Sequence, residues 1–146
     1  MKKLVVIFFV FGMFFLFNSR AMAQDATFDR SNVIGAYLAS SDMTIKLKSS
    51  NCGYIFKKAI PSFKSRLIEV QSYLSGSDLK ELNAFVSSSE FNKKMNKNQE
   101  FINGYLSSIK KDGIDDKTAC GLLVGFITPT SVKAEKDWRA MSGKSN

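Results

Sequence analysis

Residues 118–126 read TACGLLVGF, a run without a single charged side chain. Asp116 or Thr118 caps a helix here, and Pro129 is expected to end it. A helix that is apolar all round belongs at the centre of a bundle. Gly121 and Gly125, four apart, would leave a flat strip along which another helix packs closely. The same spacing pairs helices in membranes, but eight or nine residues fall short of the ~20 that span a bilayer. The run therefore reads as a buried core helix. Cys120 lies at its start, and the only other cysteine, Cys52, sits in SSNCGY at 49–54.

What the two thiols do depends on the compartment. Lys2 and Lys3 precede the apolar stretch Leu4–Phe17, and Ala21-Met22-Ala23 forms a small–x–small triplet. This is the layout of a Sec-type signal peptide (residues 1–23) cleaved after Ala23, leaving a single domain from Gln24 to Asn146. No cysteine stands near that triplet for lipid attachment, so a periplasmic or secreted protein without membrane insertion is expected. The short signal and the lack of an Asn-x-Ser/Thr sequon suit a bacterial source. In an oxidising compartment two distant cysteines favour a structural disulfide. Cys52–Cys120 closes 69 residues counting both ends, worth roughly 3–5 kcal/mol in the loop-entropy model. A redox pair would favour Cys-x-x-Cys, and zinc would need two further ligands from a chain without histidine.

Helical periodicity runs through the rest, giving an all-α bundle of about five to six helices. Residues 24–30 read as a polar lead-in, after which Ser31 or Asn32 caps a helix bearing Val33, Ile34, Tyr37 and Leu38. SDMTIKLK (41–48) alternates like a strand, yet nothing nearby offers a partner strand, so a helix is favoured. Cys52, Ile55, Phe56 and Ala59 make a helical stripe ending at Pro61, and Phe63, Leu67, Val70 and Leu74 make the next. Asp78 with Glu81 has capping-box spacing for a helix carrying Leu79, Leu82, Phe85 and Val86. A longer polar helix then holds Phe91, Met95, Ile102, Leu106 and Ile109, although Asn103-Gly104 could split it. Beyond Pro129 a last short helix, starting at Thr130 or Ser131, docks through Trp138.

Chemistry is sparse. Without histidine there is no Ser–His–Asp or Cys–His arrangement. Glu69, Glu81, Glu90 and Glu100 are the carboxylates left for glycosidic chemistry, and all fall on outer helix faces where solvation explains them. Asp112, Asp115 and Asp116 lack calcium-loop spacing and suit a turn and a cap. An enzyme is not expected, nor a cofactor, a metal or nucleic-acid binding. Five phenylalanines, at 56, 63, 85, 101 and 126, would suit an apolar-ligand carrier but read better as core.

What remains is binding. In size, signal, helical pattern and paired cysteines the chain resembles the small periplasmic immunity proteins that block cell-wall-degrading toxins. That resemblance assigns no residue. It implies a protein partner, a toxin or hydrolase, held by surface that helix packing leaves unexplained: Lys93, Lys94, Lys97 and Glu100, with Asp112, Asp115 and Asp116. An envelope stress, chaperone-like or structural role is the alternative, and a homodimer is compatible with either.

Overall fold

The computed structural model describes residues 26–144 of the 146-residue chain, so the signal peptide and its cleavage site lie outside the described residues. The chain divides into two units, residues 31–146 and residues 1–30. The packing described below belongs to the first of these. Five helices carry it: α1 (Ala26–Ser49), α2 (Phe63–Tyr73), α3 (Gly76–Val86), α4 (Ser89–Lys111) and α5 (Asp116–Ser142), with a single 3-10 turn at Gly53–Ile55. No strand occurs among the described residues. The protein is a small all-α domain.

Two apolar clusters form the core. Tyr37 and Leu38 of α1, Val70 and Leu74 of α2, Leu82 of α3 and Trp138 of α5 build the first. Leu47, Cys52, Ile102, Cys120, Leu123 and Ile127 build the second. α1 and α5 thus serve both clusters, and they run antiparallel. Tyr37 stacks on Trp138 at 5.1 Å between ring centres, the Thr44 and Ser131 hydroxyls meet at 2.9 Å, and Cys52 is bonded to Cys120. The disulfide has an S–S distance of 2.03 Å, and both its cysteines are buried.

Between the clusters lies a polar seam. Asp42, 8% exposed, accepts from Asn98 Nδ2 at 2.8 Å and pairs with Lys46 at 2.9 Å. Lys46 also donates to the Met95 carbonyl. A buried carboxylate without such partners would be strongly disfavoured. The seam explains why SDMTIKLK looks like a strand and is helix: its polar residues alternate because Asp42 and Lys46 find partners on α4, and Thr44 finds one on α5.

A second polar hub fixes α2 against α1 and α5. Glu69 was expected on a solvated outer face, but it is half-buried. Its Oε2 accepts the Tyr37 hydroxyl at 2.8 Å, and its Oε1 accepts Trp138 Nε1 at 3.0 Å and Lys144 Nζ at 3.2 Å. Arg66 donates to the Tyr37 hydroxyl at 2.5 Å and lies over its ring. Burial raises the Glu69 carboxyl, but the hydrogen bonds from Trp138, Tyr37 and Lys144 outweigh it and hold the group below its ordinary value. Burial, with the Glu69 bond, pushes the Tyr37 phenol well up. Trp138 anchors the end of α5 as expected: it is fully buried and meets Tyr73 edge-on.

Several boundaries differ from those expected. α1 is already helical at Ala26, so Ser31 and Asn32 sit inside it rather than capping it; nothing in residues 26–30 is a helix breaker. The stripe from Cys52 to Ala59 is a 3-10 turn followed by irregular chain. The disulfide fixes Cys52, and a Cβ on Gly53 would stand 2.2 Å from the Lys48 carbonyl oxygen, so the chain folds back on the end of α1 where only glycine fits. α3 begins at Gly76, whose positive φ of 57° suits glycine, and Ser75 before it occupies the cap position without a side-chain hydrogen bond. Asp78 lies in its first turn and is not the cap. α4, by contrast, is the single helix favoured from the sequence and passes through Asn103-Gly104 unbroken.

The largest correction concerns α5. Pro129 does not end it, and no separate last helix forms. The proline removes the bond to the Gly125 carbonyl, which lies on an exposed turn open to water, so the helix loses one rung and continues. Nor is TACGLLVGF buried all round. Ala119, Cys120, Leu123 and Ile127 face the core, whereas Leu122 is 52% exposed. Gly121 and Gly125 are exposed too, and a Cβ on either would meet nothing within 4 Å.

Candidate functional site

Helix α4 is capped by Ser88, whose hydroxyl accepts the Phe91 N–H at 3.1 Å. Phe91, Ile102 and Ile109 turn inward at helical spacing and anchor it. The polar middle, KKMNKNQE, divides between two tasks. Asn98 and the Met95 carbonyl serve the seam around Asp42 and Lys46. Lys93, Lys97 and Glu100 face outward with Ser89, Asn92 and Asn96, and line an open hollow of about 350 Å³. Among the described residues neither Lys93 nor Lys97 makes an ion pair. Two lysines four apart on one face repel slightly and make nothing within the chain.

The expected surface is therefore divided. Lys94 pairs with Glu90 at 3.0 Å and lies over the Phe85 ring at 5.3 Å, tying α4 to α3. Asp112 ends α4. Asp115 caps α5, accepting the Thr118 N–H at 3.0 Å and the Thr118 hydroxyl at 2.7 Å, and those bonds hold its carboxyl below the ordinary value. Asp116 lies in the first turn of α5, where a negative charge suits the helix dipole. From Lys97 to Asp112 is fifteen residues of helix, roughly 22 Å at 1.5 Å per residue. The structure joins Lys93, Lys97 and Glu100 on one face but does not bring the acidic loop to it.

The lining positions Ser89, Asn92 and Asn96 were missed, although 89, 92, 93, 96, 97 and 100 share one helical face and the pattern stands in the sequence. A second open hollow, of about 630 Å³, lies beside the end of α5 and is lined by Glu135, Lys136, Arg139 and Lys144, among others. Among the described residues no three acidic or cysteine side chains gather as a metal site, and no helix is long and apolar enough to cross a membrane.

Fold and site define a disulfide-stapled all-α domain with a polar, lysine-bearing face on one helix. Comparison with protein-family models, with curated proteins and with solved structures finds no match to this chain.

Proposed function

We propose that the protein is an exported binding module, an inhibitor or immunity protein that blocks a toxin or cell-wall hydrolase, and that it acts by occupancy rather than by catalysis. The observation that carries this reading is the outer face of α4. Lys93, Lys97 and Glu100, with their polar neighbours, line a hollow that serves neither apolar cluster nor the seam. Such a face on a helix held by Ile102 in the second cluster and by the hydrogen bond from Asn98 to Asp42 is pre-organised, which lowers the entropic cost of binding. Its two lysines would steer an acidic cleft toward it. The mature chain would carry 18 basic against 13 acidic residues once Lys2, Lys3 and Arg20 are removed, the same sense of charge.

The experiment is affinity capture with disulfide-intact protein from envelope extract and culture supernatant, then titration of the captured partner. One stoichiometric, tight partner whose hydrolase activity falls on binding is the expected result. Charge reversal at Lys93 and Lys97 should weaken that complex at least tenfold and steepen no unfolding curve. An unchanged affinity would assign the contact elsewhere. The envelope-stress reading draws on a different observation, the exposed apolar side chains Ile68, Leu122 and Val132. It expects many weak clients instead of one partner.

A further inference from the structure

The outer face of α5 is built for a contact that its own chain does not make. At steps of three and four residues it presents Asp115, Thr118, Leu122, Gly125, Pro129, Val132 and Lys136, all of them exposed. Leu122 is 52% and Val132 62% exposed. Glycine is among the least favourable residues in a helix interior, and neither Gly121 nor Gly125 is required by anything inside the fold. Two such residues one turn apart leave a shallow notch into which a second backbone fits. Pro129 adds to this by leaving the Gly125 carbonyl without its intrahelical donor.

Charge decides what fills the notch. Asp115 and Asp116 stand at the start of the face beside Lys117, and Lys136 stands near its end, while Lys133 there is held by Asp137 of its own helix. We propose that α5 pairs with α5 of a second copy of this chain, antiparallel about a two-fold axis passing between residues 125 and 126. In that register Asp115 meets Lys136 of the other copy, Thr118 meets Lys133, and Leu122 meets Pro129. All three pairs are centred on the same point, as a self-complementary two-fold contact requires. A parallel pairing would set Lys136 against Lys136. The span from 115 to 136 is roughly 32 Å of helix, a narrow contact beside the ~800 Å² per partner of a standard interface, as in weak, transient associations. This inference uses a face other than the outer face of α4 and does not depend on the function proposed above.

Sedimentation equilibrium of the full-length gene product, purified as it accumulates in the producing cell, tests it. The expected result is a monomer–dimer equilibrium that tightens as salt is lowered. Gly125→Leu and Leu122→Lys should each raise the dissociation constant at least tenfold, and Lys136→Glu should do so most strongly at low salt. Gly125→Leu is the discriminating variant, because its side chain meets open space in the monomer and so preserves helicity and thermal stability while breaking the dimer. A protein that stays monomeric at the highest soluble concentration overturns the proposal. So does a dimer indifferent to Gly125→Leu and Leu122→Lys, or a monomer whose Leu122→Lys variant loses binding to unrelated apolar clients.

Discussion

Truncating Glu69 is the sharpest test of how the helices are held. Glu69→Ala removes the acceptor of the Trp138 N–H and of the Tyr37 hydroxyl, and both rings are essentially inaccessible, at 0% and 1% exposure. A buried donor left without an acceptor costs about 1–3 kcal/mol. The Tyr37 hydroxyl keeps its bond from Arg66, and the Glu69 side chain is 25% exposed, so water can enter part of the space. The two donors together then cost about 2–4 kcal/mol, toward the lower part of their summed range. Glu69→Gln should fall between, since an amide offers one oxygen where the carboxylate offers two. Glu81→Ala is the control: that residue is exposed, and such substitutions stay within about 0.5 kcal/mol. Urea unfolding with the disulfide intact measures all three. Trp138 is the only tryptophan, so its fluorescence reports from the site itself. If Glu69→Ala matched Glu81→Ala, the hub would carry no stability and the account of α2 docking would be wrong.

Other expectations follow from the same contacts. Because folding lowers the Glu69 carboxyl below its ordinary value of 4.5, its contribution is fully present above that pH and is lost as pH falls through the lower folded-state value. Acid unfolding of Glu69→Gln should therefore show a flatter limb below pH 4.5 than the parent protein. Replacing Cys52 and Cys120 by alanine frees a loop spanning 68 positions, and chemical denaturation should read a loss of about 4 kcal/mol. The glycines that follow the two cysteines should respond oppositely. Gly53→Ala drives a Cβ into the Lys48 carbonyl and lowers the melting temperature, whereas Gly121→Ala meets open space and leaves it unchanged or higher.

Much of the fold could be read from spacing alone. Phe63, Leu67 and Val70 marked α2, the inward series from Phe91 to Ile109 marked α4, and two distant cysteines, with the expectation of export, pointed to the staple. What failed depended on contacts that no local pattern records. The stripe from Cys52 to Ala59 has helical period, but the disulfide and the close approach of Gly53 to Lys48 set the backbone there. Pro129 reads as a terminator, yet the buried Ile127 before it and Ala134 and Trp138 after it hold the helix together across the lost bond. Glu69 looks like any outward glutamate until Tyr37 and Trp138, 32 and 69 positions away, close on it. The candidate site was half legible. Lys93, Lys97 and Glu100 share a face by periodicity, but the separation of that face from Asp112 and Asp115 follows from the unbroken length of α4, which Asn103-Gly104 left undecided.

The measurement closest to the central claim is a calorimetric titration of the captured partner into the disulfide-intact protein, run in parallel with the Lys93→Glu/Lys97→Glu variant. The account predicts a one-to-one, nanomolar complex with a hydrolase whose activity falls on binding, weakened at least tenfold, about 1.4 kcal/mol, by the double reversal. A collection of weak, unrelated proteins with no saturable heat, or a tight complex indifferent to both lysines, would contradict it.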